Sequence, residues 1–211
     1  MKNQALEWVE GAGWLIFSGG ADALGEIRAQ ALGRMKSDGG VAYIGLGADS
    51  ADDLIEDMGE LGAPTGFLID VLSEDDDTIR EQMREAALIV IPSEVGVEQL
   101  KDVLTGPPLE SIGMAYRRGA VVLVEGEAVS LFGGIFVVEN KGISGFDWVR
   151  GAYLLPGVTS IAQSPIAREL LNAEAARLAV GIGDESALAL GPGGAVEVLG
   201  TGQVTLVLAE R

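Results

Sequence analysis

Short apolar runs alternate with amphipathic segments along the first half of the chain. The runs show little polar alternation, which is typical of strands buried on both faces of a parallel sheet. The pattern predicts strands at residues 13–20, 41–47, 66–72, 87–92 and 120–124. It predicts connecting helices at residues 22–36, 49–62, 73–86, 97–104 and 109–119, because apolar residues recur there at helical spacing.

Capping signals support several of these helices. Asp22 is a predicted N-cap, and Gly62 is a predicted helix end. The acidic residues of "SEDDDT" at 73–78 suit a helix N-terminus. A further helix is predicted over residues 164–179, with Ser164 as its N-cap and Pro165 in its first position.

The hydrophobic pattern changes in the second half of the chain, where the apolar runs are shorter. Shorter strands are predicted at residues 134–138 and 152–161, and residues 180–210 predict three short strands joined by Gly-rich and Asp-Glu turns. The whole pattern predicts an α/β fold: a flavodoxin-like, doubly wound, mostly parallel sheet with helices on both faces and antiparallel C-terminal edge strands. We expect residues 1–211 to form a single domain.

The charge excludes some partners. The formal net charge is −18, from 32 acidic and 14 basic side chains. Such a chain repels phosphate backbones and anionic membrane surfaces, so we expect neither nucleic acid nor a membrane as partner. The N-terminus lacks a secretory pattern and no apolar run could span a bilayer, which predicts a cytoplasmic location.

Histidine and cysteine are both absent from the sequence. Their absence excludes serine–histidine and cysteine–histidine relays, thiol nucleophiles, and the usual zinc and iron ligand sets. We expect no metal and no cofactor. A phosphate loop at "SGGADALG" is disfavoured as well, because this stretch lacks the P-loop lysine and the dinucleotide fingerprint.

The stretch "AVVLVEGEAVS" places a tight glycine turn after a buried strand, where α/β hydrolases expose a nucleophile. Here the turn offers only Glu125, Gly126 and Glu127. Ligands of open α/β sheets bind at such strand ends, and a carboxylate pair there is able to do acid–base work. The alternative is that both glutamates are solvated turn residues.

With its elements in this order, the chain resembles the cyanophycinase and aspartyl-dipeptidase family of serine peptidases. The resemblance runs from about Gly13 to Leu208, and its strongest parts are "LLPGVTSIAQSPIARELL", "RLAVGIGDESALAL" and "AVEVLGTGQVTLV". The opening "GWLIFSGGAD" is similar to the family's first strand with its double glycine. The resemblance implies the class I glutamine amidotransferase-like fold.

The same resemblance implies that the catalytic residues are missing. Gly126 falls at the position of the family's serine, and Gln163 falls at the position of its histidine. The oxyanion-site glycines correspond to "PSEVGVEQ", which has no double glycine. Because a serine peptidase without its nucleophile and base retains only residual activity, the chain is predicted to be a degenerate member.

Three functions follow as hypotheses. The first is a non-catalytic pocket for a small cationic or peptide-like ligand. Its predicted lining is Gly19, Gly20, Glu94, Glu125, Gly126, Glu127 and Gln163. The second is a structural or assembly subunit, for which we expect a homodimer. The third is residual hydrolysis of peptide-like substrates, or another reaction, with Glu125 or Glu127 as acid or base.

Overall fold

The predicted strands of the first half form one parallel set. The computed structural model describes residues 5–20, 24–36, 39–47, 51–92 and 96–210. Within them the strands are β1 (Trp14–Ser18), β2 (Gly40–Gly45), β3 (Gly66–Asp70), β4 (Ala86–Ile91) and β5 (Val121–Glu125). The connecting helices are α1 (Leu24–Leu32), α2 (Asp52–Glu60), α3 (Asp76–Glu85), α4 (Val97–Leu104) and α5 (Pro107–Arg118).

The capping predictions hold wherever the structure describes the residues. Asp75 caps α3 by accepting hydrogen bonds from the amides of Asp77 and Thr78. Gly62 follows α2 with a φ of +84°, a left-handed conformation that glycine adopts without steric cost. Asp22 lies outside the described residues.

The second half adds seven strands and one helix. They are β6 (Ile135–Val138), β7 (Lys141–Ser144), β8 (Ala152–Pro156), α6 (Pro165–Asn172), β9 (Leu178–Ile182), β10 (Ser186–Gly191), β11 (Ala195–Gly200) and β12 (Val204–Leu208). Ser164 caps α6 and Pro165 opens it, as the sequence predicts. The helix ends earlier than predicted because residues 178–182 enter strand β9 instead.

A seven-stranded sheet carries the predicted architecture. Its strand order is β11-β10-β1-β5-β4-β2-β3. The strands β1 to β5 are parallel, and β10 and β11 extend the sheet as antiparallel edge strands. Helices α1 and α2 share one core with one face of this sheet, whereas α3, α4 and α5 share another core with the opposite face. The expected mostly parallel sheet with helices on both faces is therefore confirmed.

A second sheet goes beyond the sequence prediction. It has five strands in the order β12-β9-β8-β6-β7. Leu178, Val180 and Ile182 of β9 share a core with Leu15 and Phe17 of β1, so the second sheet stacks on the first. Its other face is covered by α6, whose Ala167 and Leu171 pack with Tyr153 and Ala179. The C-terminal segment thus contributes four strands rather than three, divided between two sheets.

Candidate functional site

The neighbouring parallel strands β1 and β5 bring the glycine-rich segments at their carboxyl ends together. Strands β1 and β5 are paired so that Ser18 lies beside Glu125. The residues that follow these two strands therefore meet at the carboxyl end of the sheet, where open α/β sheets bind ligands. A cavity of about 390 Å³ lies there. Its lining consists of Gly19, Gly20, Leu24, Arg28, Pro92, Glu125, Gly126, Glu127, Pro156, Gly157 and Asp184.

Gly126 forms a sharp turn at the end of β5. Its φ is +55°, and it is the first residue of a short 3₁₀ helix that runs to Phe132. An L-residue in this left-handed conformation is strained, so glycine suits the position. The turn also separates the two carboxylates: Glu125 is 2% exposed, whereas Glu127 lies on the exposed side of the turn. The strand does not continue, so the two side chains do not share one face.

Glu125 is held by Arg28, which the sequence pattern did not predict as a site residue. Nε of Arg28 donates to Oε1 at 2.8 Å, and Nη2 donates to Oε2 at 2.9 Å. Nη1 of the same guanidinium donates to Oδ2 of Asp57 at 3.0 Å. Burial lowers the pKa of Arg28, but its hydrogen bonds and charge interactions with Glu125 and Asp57 outweigh burial and raise that pKa above its ordinary value. Arg28 therefore stays protonated, and both oxygens of Glu125 are engaged.

The double glycine after β1 has a packing role. A Cβ on Gly19 would collide with the carbonyl oxygens of Ile182 and Gly183, and a Cβ on Gly20 would collide with the side chain of Asp184. Gly19 also donates its amide to the carbonyl of Ser186 at 2.9 Å. The β9–β10 turn thus sits directly against the glycines, and this close approach places Asp184 in the cavity wall.

Five of the seven residues predicted to form a pocket do line one cavity: Gly19, Gly20, Glu125, Gly126 and Glu127. Gln163 does not line it. Strand β8 ends at Pro156, and Gln163 is exposed on a short 3₁₀ turn at residues 161–163. Glu94 lies outside the described residues. Gln163 therefore lies outside the lining of this cavity, and a role for it in ligand binding stays a prediction.

A signal for Arg28 was present in the sequence. In helix α1 the apolar residues Leu24, Ile27 and Ala31 recur at helical spacing, and position 28 falls on the same stripe. A charged residue on the apolar side of a helix needs a buried partner of opposite charge. Asp184 had no comparable signal, because it lies in a turn between two strands and reaches the cavity only through the stacking of the sheets.

The lining side chains define what the cavity can do chemically. Among the described residues that form it, no serine, threonine, lysine or tyrosine side chain is present, and the whole sequence has no histidine or cysteine. Three carboxylates and one guanidinium remain. In the described ranges, no three acidic side chains are grouped as a metal site would need. The helices described there also include none long and apolar enough to cross a membrane.

Solved structures share this fold. A peptidase from an acI-B1 Actinobacterium superposes with a TM-score of 0.71 at 18% sequence identity, covering 96% of this chain and 97% of that one. A Listeria monocytogenes EGD-e protein named after peptidase E superposes with a TM-score of 0.63 at 13% identity, covering 90% and 98%. No protein-family model matches the chain, and no curated protein matches its sequence. The chain therefore has the fold of these peptidases.

Proposed function

We propose that this protein is a non-catalytic relative of the cyanophycinase-like serine peptidases, and that it binds a small cationic or peptide-like ligand in the cavity at the carboxyl end of β1 and β5. The observation that carries the proposal is Gly126. It occupies a left-handed turn at the end of a central strand, at the mouth of a cavity, yet it has no side chain to acylate. In this setting a binding function needs no change of fold, whereas hydrolysis by the serine mechanism needs a nucleophile and a histidine that are missing here.

The charge of the cavity favours a cationic group. The charge of Glu125 is balanced by Arg28, at 2.8 and 2.9 Å. The carboxylates of Glu127 and Asp184 line the same cavity, and both residues are exposed to solvent. An ammonium or guanidinium group between them would gain charge-assisted hydrogen bonds. The net charge of −18 would also attract cations at long range.

Residual hydrolysis by acidic residues is less well supported. A general acid or base must reach the reacting proton, and the carboxylate of Glu125 has both oxygens bound to Arg28 inside the wall. Glu127 would have to act without a nucleophilic side chain among the described residues that line the cavity. We therefore place ligand binding first, in a cytoplasmic protein.

Thermal denaturation with arginine-containing dipeptides tests the proposal. Ligand at about ten times its Kd stabilises the folded state by about 1.4 kcal/mol, which corresponds to a rise in Tm of about 3–6 °C for a chain of this size. Glycyl dipeptides of equal length should give no rise. The Asp184→Asn variant should lose the response, whereas Glu85→Gln should keep it, because Glu85 lies at the amino end of β4.

Two results would overturn the proposal. One is a chain that responds to no arginine-containing dipeptide at millimolar concentration. The other is a chromatographic assay in which the dipeptide is cleaved by the protein and Glu127→Gln abolishes the cleavage. The Gly126→Ser variant should remain inactive in that assay, because the sequence has no histidine to activate the hydroxyl.

A further inference from the structure

Both sheets end on the same side of the molecule. Strand β11 is an edge of the seven-stranded sheet and β12 is an edge of the five-stranded sheet. The two strands follow each other in the chain and are separated only by residues 201–203. The chain therefore crosses from one sheet to the other at this side, which we call the open edge and define by β11 and β12.

The open edge exposes apolar side chains on the sheet faces that enclose the inter-sheet core. Val198 lies opposite Leu188, and Leu206 lies opposite Val180. Directly opposed residues of an antiparallel pair share one face of the sheet, and both Leu188 and Val180 belong to the core between the sheets. The four edge residues on this inner face are nevertheless half exposed: Val196 48%, Val198 52%, Leu206 42% and Leu208 51%.

The backbone of β12 is also open on its outer side. The carbonyl of Gln203 accepts from the amide of Gly183 at 3.1 Å, and the amide of Ala209 donates to the carbonyl of Arg177 at 3.0 Å. Backbone groups in a strand point alternately to the two sides, so the odd-numbered residues bond to β9. The amides and carbonyls of Val204, Leu206 and Leu208 therefore point away from β9, where the described chain places no other strand.

We propose that a second copy of this chain pairs with β12 across the open edge. A two-fold axis at Leu206 aligns the two β12 strands antiparallel, with each Leu206 opposite the other and each Val204 opposite the partner copy's residue 208. All of these are outward-pointing residues, so each opposed pair exchanges both backbone hydrogen bonds. The two five-stranded sheets become one continuous sheet, and the exposed leucines of the two copies lie side by side on its inner face.

The distribution of charge along the chain favours a second copy of this chain as the partner of β12. Two chains of net charge −18 repel each other wherever their acidic surfaces meet, so association requires an uncharged strip. Residues 199–209 contain no charged side chain. In the Leu206-centred register, Glu210 of one copy falls opposite Gly202 of the other, and no carboxylate opposes a carboxylate. A basic peptide would find no carboxylate within this strip.

The affinity should be modest. Four half-exposed side chains offer less surface than the roughly 800 Å² per partner of a typical stable interface. The edge hydrogen bonds add to the association, since unpaired edge strands readily accept another strand. We therefore expect a dimer whose population depends on protein concentration.

Sedimentation of the full chain over a wide concentration range tests the pairing. We expect the mass to rise from that of the 21.8 kDa chain towards twice that value. Leu206→Lys should abolish the rise, and Leu206→Pro should abolish it by removing an outward-pointing amide that β9 does not use. Leu72→Lys is the matched control, because Leu72 is 53% exposed and lies elsewhere on the surface. A wild-type chain that stays monomeric, or a Leu206→Lys variant that still dimerises, would overturn the proposal.

Cysteine cross-linking tests the register independently. The chain has no native cysteine, so each variant carries a single thiol. Leu206→Cys should oxidise to a covalent dimer, because opposed Cα atoms in a hydrogen-bonded pair are about 5.5 Å apart, within disulfide reach. Leu208→Cys should not, because the two copies of residue 208 would lie roughly 13 Å apart along the strands. Cross-linking of Leu208→Cys but not of Leu206→Cys would refute the register.

Discussion

The carboxyl end of β5 and the open edge differ in which side chains they bury: the first buries charged side chains and the second exposes apolar ones. At the first, the chain buries a charged pair, Arg28 and Glu125, whose side chains are 10% and 3% exposed. At the second, it leaves Leu206 and Leu208 about half exposed although their cross-strand partners Val180 and Leu178 are fully buried. Both arrangements are costly in a lone chain, because buried charge loses hydration and exposed apolar surface orders water.

The two regions differ in whether contacts within the described chain satisfy their exposed or buried groups. The buried pair is joined by two hydrogen bonds within the chain, so it is a structural support in the wall of the cavity. The open edge leaves both apolar surface and backbone groups without a partner from the described chain. We propose that a small ligand binds at the first region and that a second copy pairs with the chain at the second.

The largest effect should come from breaking the buried pair. In Glu125→Gln the Arg28 guanidinium loses its compensating charge in the cavity wall, and loss of one member of a buried pair costs about 3–5 kcal/mol. Urea denaturation measures this loss in the free energy of unfolding. Asp57→Asn is the control, because the side chain of Asp57 is 62% exposed and an exposed pair is worth about 0–1 kcal/mol. Equal effects of the two substitutions would show that Glu125 is not the essential partner.

Substitutions of Leu178 and Leu208 compare a buried and an exposed side chain at the open edge. Leu178 and Leu208 are cross-strand partners, but Leu178 is fully buried and Leu208 is 51% exposed. Leu178→Ala should cost about 2–5 kcal/mol by leaving a cavity in the core. Leu208→Ala should change the stability of the monomer by about 0.5 kcal/mol or less, as substitutions on the surface do. Denaturation at low protein concentration measures both, and a large loss in Leu208→Ala would mean that this edge is already closed in the monomer.

Substitution of Gly126 in the turn after β5 should change the free energy of unfolding by a smaller amount. Gly126→Ala places a Cβ at a φ of +55°, which costs about 1 kcal/mol. Gly59→Ala should stabilise the chain by about 0.5–1 kcal/mol, because Gly59 lies in α2 with open space where its Cβ would be. Thermal unfolding of the two variants compares them directly. If both substitutions stabilise, the turn is not left-handed.

The last prediction concerns a titration near the buried pair. Burial raises the pKa of Tyr43 to about 12, against a smaller opposing effect of the Arg28 charge. Because the folded-state pKa exceeds the ordinary value of 10.0, this contribution to stability is complete below pH 10 and is lost as the pH rises towards 12. Absorbance titration of the wild type and Tyr43→Phe isolates this ionisation. A Tyr43 that titrates at its ordinary value would place it in water.

Local signals explain how much of the fold the sequence predicted. The five parallel strands and their helices are marked by apolar runs and caps such as Asp75, which act within a few residues. The hairpin of β6 and β7 was missed because Lys141–Ser144 is a short, largely exposed strand without alternation. The division of the C-terminal strands between two sheets was missed because strand pairing across the chain has no local signature.

The sequence predicted the part of the candidate site that lies at the ends of β1 and β5. Gly19, Gly20 and Glu125–Glu127 follow apolar runs directly, so parallel pairing brings them together. The ion pair of Arg28 and Glu125 joins residues 97 positions apart, and Asp184 reaches the cavity through a turn between two strands. Such contacts depend on how the layers stack, which a single sequence does not reveal.

A crystal structure of the protein with a soaked arginine-containing dipeptide decides between binding and cleavage in the cavity. We expect an intact dipeptide in the cavity of about 390 Å³, with its cationic group between the carboxylates of Glu127 and Asp184 and no covalent bond to the chain. A cleaved dipeptide in that cavity would contradict the non-catalytic assignment. A cavity that stays empty at saturating dipeptide would contradict the binding function.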